Sequence, residues 1–186
     1  MTLKEMKKKA LGLIDELNPL SDYLTDDPDI RLKINEVINQ IQNEIARFKK
    51  IPKYVEIPVQ EGDLLELEDI GDALGYEVYQ IDVVCGVRFM PKASGTVLKM
   101  LEGGTAEISC FVYPERINEK TNDSYEFDLS NDALEIMPYG IAADLLKSDI
   151  SADFGSIYYT RYREMLERLD HRYQIPTYVI EGGVAL

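Results

Sequence analysis

Residues 27–59, DPDIRLKINEVINQIQNEIARFKKIPKYVEIPV, change hydrophobic period part-way along. From Asp27 to about Lys50 the spacing predicts the strongest helix in the chain. Ile30, Ile34, Val37, Ile38, Ile41, Ile45 and Phe48 recur three or four residues apart and form one apolar stripe. Asp27 suits the N-cap, and Pro28 falls at the first helical position, where its missing N–H is no loss. Lys49 and Lys50 favour the negative end of the helix, and Pro52 prevents continuation. From Tyr54 to Val59 (YVEIPV) β-branched and aromatic residues partly alternate with polar ones, which predicts a strand. The other face of the helix carries Lys33, Asn35, Glu36, Asn39, Gln40, Gln42 and Asn43. So amide-rich a face reads either as a solvated surface or as a polar subunit interface, with Asn35, Asn39, Gln42 and Asn43 as the candidate contacts.

Helix is also predicted at the two ends of the chain. Thr2 to Leu17 has Leu3, Met6, Ala10, Leu13, Ile14 and Leu17 on one face, a Thr2/Glu5 capping box, and Asn18-Pro19 as a stop. Near the other end, Pro138 should break the run from Ala133 to Met137, leaving a turn and a helix from about Tyr139 to Lys147. Ser151 is then a plausible N-cap for a helix reaching about Arg172, with Phe154, Ile157, Tyr158, Tyr162, Met165, Leu166, Leu169 and Tyr173 as its buried stripe. Gly155 and Ser156 would let another backbone approach closely.

Between these ends the chain is rich in strand signals: Tyr54–Val59, Glu77–Phe89, Ala106–Tyr113 and Tyr125–Leu129. Glu102–Thr105 and Pro91–Gly95 read as turns. The predicted fold is therefore α+β. A helical bundle drawn from both chain ends (residues 1–52 and 133–174) carries an inserted antiparallel β-sandwich or barrel-like module (53–132), followed by an extended tail (175–186).

The net charge of −14 is concentrated in the predicted β module. Residues 1–50 are neutral, residues 51–140 carry a net −12, and residues 141–186 a net −2. An acidic surplus of this kind argues against gripping a nucleic-acid backbone or an anionic membrane surface. No run reaches the roughly 18–20 apolar residues of a membrane span, and no apolar block follows Lys4, Lys7, Lys8 and Lys9 as in a signal peptide. Cys85 and Cys110 supply no disulfide framework and read as buried, inert thiols of a reducing compartment.

Catalytic constellations are missing from the pattern. His171 stands alone beside Asp170 and Arg172, with no nucleophile to serve. Two Cys and one distant His fall short of a zinc site. The acidic run Glu61–Asp72 lacks the register of a helix–loop–helix calcium loop, and Gly103-Gly104 lacks the lysine and helix of a phosphate loop. The expectation is no catalytic residue, no metal and no cofactor. Tyrosine is more informative. Tyr159, with Arg163 one turn below it, falls off the buried stripe, and aromatic plus Arg is interface composition. The segment IPTYVIEGGVAL (175–186) is apolar and extended. It reads as a strand added either to the chain's own sheet or to a neighbour's, with Tyr178, Val179 and Ile180 as candidate contacts.

The stretch ALEIMPYGIAADLLKSDISADFGSIYYTRYREMLERLD (133–170), followed by YVIEGGV (178–184), resembles structural proteins of tailed bacteriophages and prophages of Gram-positive bacteria. In that group a run like Pro138–Asp149 precedes a Tyr-rich helix, and DDPDIRLKINEVINQIQNEIA (26–46) is similar to its first helices. The resemblance covers both helical ends and is to head–tail connector, or adaptor, proteins. It implies a virion protein, assembled in the bacterial host cytoplasm, that forms a homo-oligomeric ring with portal and tail proteins as partners. It implies neither sequence-specific nucleic-acid binding nor a membrane. Two rivals have a basis in the residues alone: a β-sandwich that binds carbohydrate or peptide on a helical stem, against which the missing Trp counts, and an acid-rich metal-dependent hydrolase.

Overall fold

The computed structural model describes residues 1–92, 95–148 and 152–169. Among these residues the structure is mixed α+β, with five α-helices and two small antiparallel sheets of three strands each.

Helix α1 (Leu3–Leu13) has the expected capping box. Glu5 donates its N–H to Thr2 Oγ1, and Thr2 donates its own to Glu5 Oε2. It stops four residues short of the expected Leu17. Asp15 enters the left-handed region at φ 59°, and Glu16 returns its N–H to Leu11 O at 3.0 Å, the six-residue closure of a Schellman end. Helix α2 (Pro28–Phe48) starts as expected, with Asp27 Oδ1 accepting from Asp29 and Ile30. Its stripe is buried at Ile34, Val37, Ile38, Ile41 and Ile45.

Strand β1 (Ile51–Val59) follows at once, then β2 (Leu64–Glu66) and helix α3 (Leu67–Leu74). No helix or strand was expected in the acidic run. It folds because Leu65, Leu67, Ile70 and Leu74 space an apolar face through the acids, and because Asp69 Oδ2 accepts the N–H of Glu66 at 2.8 Å. Glu77–Phe89, expected as one strand, is two: β3 (Val78–Cys85) and β4 (Phe89–Lys92). The break is at Gly86, whose φ of +82° only glycine adopts readily. Part of the expected Pro91–Gly95 turn is thus strand, and Ala93 and Ser94 lie outside the described residues. Strands β5 (Val97–Met100) and β6 (Gly104–Val112) complete the set. The orders are β1-β6-β3 and β2-β5-β4. Neither sheet closes, so the barrel-like alternative is corrected to two open sheets. They share an apolar cluster that includes Leu65, Ile70, Leu98, Met100, Ile108 and Val112. Cys110 is buried there, and burial pushes its thiol up to about 11, whereas Cys85 is exposed, against expectation.

Residues 113–130 form no strand. Tyr125–Leu129, expected as one, makes a single bridge, Thr2 with Glu126. Its backbone serves α1 instead. Tyr125 O accepts from Leu3 N at 2.8 Å and Asp123 O from Lys4 N at 3.0 Å, satisfying N–H groups that a helix start leaves free. Helix α4 (Asn131–Leu145) runs straight through Pro138, where a break was expected. An interior proline costs a helix about 3 kcal/mol. Burial of Ala133, Leu134, Ile136, Met137, Ile141 and Ala142 around it offsets that cost. A short 3-10 turn (Leu146–Ser148) leads toward α5 (Ala152–Glu167), which ends five residues before the expected Arg172. Of its expected stripe, Tyr162, Leu166 and Leu169 are buried, Tyr158 and Met165 half-buried, and Ile157 is exposed. Ser151, His171, Tyr173 and the tail lie outside the described residues. Residues of α1, α2, α4 and α5 share a second apolar cluster containing Leu3, Met6, Ile38, Ile45, Met137, Ile141, Tyr162 and Leu166.

Asn39 and Gln42, expected on a solvated or intersubunit face, are buried within the chain. Asn39 treats residue 117 as a strand would. Its Nδ2 donates to Ile117 O at 2.8 Å, and its Oδ1 accepts from Ile117 N at 2.8 Å. Gln42 Nε2 donates to Asn39 Oδ1 at 3.1 Å and to Glu115 O at 3.0 Å. Asn39→Ala would leave both backbone groups of Ile117 buried and unpaired. Each such group costs about 1–3 kcal/mol, so we expect Asn39→Ala to lower the unfolding free energy by about 2–4 kcal/mol in urea titrations. Gln40→Ala, one residue along on an exposed position, should change it by less than about 0.5 kcal/mol.

Candidate protein interface

Helices α2, α4 and α5 converge at Gly140. A methyl group there would sit 2.9 Å from the Tyr162 ring and 3.0 Å from Ile41 Cγ2, so only glycine admits this packing. At Gly155 a Cβ would lie 3.2 Å from Leu146 Cβ and 3.4 Å from Ala143 O, the close approach expected of that position. Keeping the three backbones close leaves a surface cavity of about 580 Å³, lined among others by Gln40, Ile41, Gly140, Lys147 and Tyr159.

Glu44 organises one side of this cavity. Its Oε2 accepts the phenol of Tyr162 at 3.0 Å, and its Oε1 lies 3.4 Å from Arg163 Nη1. Tyr162 is 1% exposed. Burial first, and the Glu44 carboxylate second, hold its phenol protonated far above the ordinary tyrosine range. Glu44 thus holds Arg163, one turn along α5 from Tyr159, which lines the cavity and stands 55% exposed; Ile157 is 62% exposed a half-turn away from Tyr159. One turn before Tyr162 on α5, Tyr158 donates its phenol to Leu13 O at the end of α1.

The other sequence candidates scatter. Asn35 is half-buried beside residues 118–123, and its Oδ1 has no hydrogen-bond partner. Asn43 is half-buried at a small cleft with Glu36, Gln40, Glu77 and Arg116. Asn39 and Gln42 belong to the intramolecular network. Tyr178, Val179 and Ile180 lie outside the described residues. The structure therefore brings together Tyr159 and Arg163 and separates them from the amides. Sequence reasoning missed Glu44 and the cavity. It also missed that Asn39 and Gln42 directly follow the stripe residues Ile38 and Ile41, which turns them toward the core margin rather than away from it.

Nothing in this arrangement activates a nucleophile. Among the described residues, no group of three or more His, Cys, Asp or Glu side chains could hold a metal ion, and no helix is long and apolar enough to cross a membrane. The chain matches no protein-family model and no curated protein.

Two further phenols are raised. Burial, then the neighbouring Tyr113, pushes Tyr79 up to about 12. Burial also pushes Tyr125 up to about 12. Both shifts favour the protonated form in the folded state. Their stabilisation is whole below an unfolded-state value of about 10 and is lost as pH rises from there through about 12. Absorbance titration should show a late tyrosinate phase near that pH, smaller in Tyr79→Phe and in Tyr125→Phe.

Proposed function

We propose that this chain is a non-enzymatic virion structural protein, a head–tail connector or adaptor subunit of a tailed phage or prophage. It assembles as a homo-oligomeric ring between portal and tail proteins, in the host cytoplasm, and remains in the virion. In this reading the four helices α1, α2, α4 and α5 are a bundle that forms the ring body, and the two sheets with α3 are a module inserted in it. The likeness of residues 133–170 and 26–46 to that group supports the class.

The observation that carries the interface is Tyr159. A large aromatic more than half exposed, beside an arginine held by Glu44 and over a cavity, has the composition of a contact that other chains bury. Its neighbours are already fixed by packing against Gly140 and Gly155, so docking there requires little ordering of the backbone.

The test is co-purification with the portal and tail proteins encoded beside this chain, followed by light scattering and negative-stain imaging. We expect ring-shaped complexes with at least one of them, and binding to none overturns the reading. Tyr159→Ala combined with Arg163→Ala should weaken the complex about tenfold or more, with the thermal midpoint of the isolated chain nearly unchanged, because both side chains reach solvent.

A further inference from the structure

The cleft beside α3 joins two cavities. The larger, about 680 Å³, is lined by Glu68 and Asp72 of α3, Tyr76, Glu77, Tyr113 and Glu115. The smaller, about 120 Å³, reaches α2. Glu77, Pro114 and Arg116 line both, so they form one continuous surface. Glu68, Asp72, Glu77 and Glu115 are exposed, and none is in an ion pair with a described residue. Arg116, the cation of this surface, is already held by Glu36 at 2.9 Å.

The smaller cavity contains a second, independent sign of a missing donor. Gln42 lines it and is fully buried. Its amide cannot be turned around, because Nε2 donates to Asn39 Oδ1 and Glu115 O. Oε1 is left buried with no hydrogen-bond partner. A buried acceptor without a donor is costly, and here it belongs to a residue that lines the same cavity as Glu36 and Glu77. The chemistry that satisfies both is a cation rich in N–H donors.

The same chain carries such a group elsewhere. Helix α1 has Lys4, Lys7, Lys8 and Lys9 against one acid, Glu5. Lys4, Lys8 and Lys9 are exposed, and none is in an ion pair with a described residue. Within its own subunit α1 is held against α4 and the 123–126 segment.

We infer that this cleft receives a lysine of α1 from a second copy of the chain, in a head-to-tail contact. The donor and acceptor surfaces differ, so the contact is heterologous. It closes into a ring or continues as a filament according to its rotation. The inference deepens the self-assembly part of the proposed function and supplies one of its contacts.

The experiment is sedimentation velocity of the full chain at low and high salt. Wild type should self-associate at low salt and dissociate as salt screens the contact. Lys8→Glu with Lys9→Glu, and separately Glu68→Lys with Glu77→Lys, should each raise the dissociation constant about tenfold or more, with thermal melts confirming that both variants are folded. Mixing the two variants is decisive, because each α1 then faces a cleft of opposite charge and association should return. The inference is overturned if wild type stays monomeric at low salt and its highest soluble concentration, if either variant associates like wild type, or if the mixture stays dissociated. A monomeric wild type that still binds portal or tail protein overturns this contact and leaves the connector reading standing.

Discussion

The structure depends on how two side chains of α2 hold residues 115–117. After β6 the chain must return from the sheets to the helices, and it does so through residues that belong to no strand. Backbone N–H and C=O groups cannot be buried unpaired. Asn39 supplies Ile117 with one donor and one acceptor at 2.8 Å each, and Gln42 supplies Glu115 with a donor. This amide pair replaces a strand. It allows Ile117 to be buried in the helical cluster and sets where residues 123–126 meet the start of α1. Surface ion pairs follow the same seam. Lys53–Asp128 and Glu36–Arg116 join β1 and α2 to the returning chain, and Lys49–Asp132 joins the end of α2 to the first turn of α4, each partly exposed and each contributing at most about 1 kcal/mol. The buried amides therefore decide the geometry and the ion pairs only decorate it.

What was legible in the sequence was whatever depends on local chemistry. The caps of α1 and α2, the stripe of α2, β1, β6 and the close approach at Gly155 all follow from residues within a few positions of one another. What was not legible depends on distant partners. Pro138 sits mid-helix because packing from α2 and α5 outweighs its local penalty. Tyr125–Leu129 has strand composition, yet its backbone is taken by α1. Gly86 divides one apparent strand into two that lie in different sheets. Helix α3 was hidden by its own acids, since Glu68, Asp69 and Asp72 obscure the apolar spacing of Leu67, Ile70 and Leu74. Within the candidate interface, Tyr159 and Arg163 were legible as residues off the stripe. Glu44, which holds Arg163, and Gly140, which makes room for Tyr162, have significance only once three helices meet.

The charge pattern takes on a definite meaning in three dimensions. Four of the eighteen acids of residues 51–140, Glu68, Asp72, Glu77 and Glu115, line one cleft, while the lysines of α1 lie on an element anchored to α4. A globular chain with mixed charges screens itself locally. This one has a basic helix and an acidic cleft on different elements, the two surfaces that the inferred head-to-tail contact pairs.

The sheet edges point the same way. An open sheet normally offers its edge to any extended chain. Here β1 is an edge strand carrying Pro52 and Pro58, which cannot donate to a ladder. Edge strand β3 has two register shifts against β6, β2 is three residues long, and β4 contains Pro91. Each of the four edges is therefore proline-bearing, bulged or very short, which are the ordinary devices against strand addition. Backbone pairing, which would be indiscriminate, is thus disfavoured at each edge, whereas the α2–α4–α5 cavity with its exposed Tyr159 and the acidic cleft beside α3 present side chains of definite charge and shape.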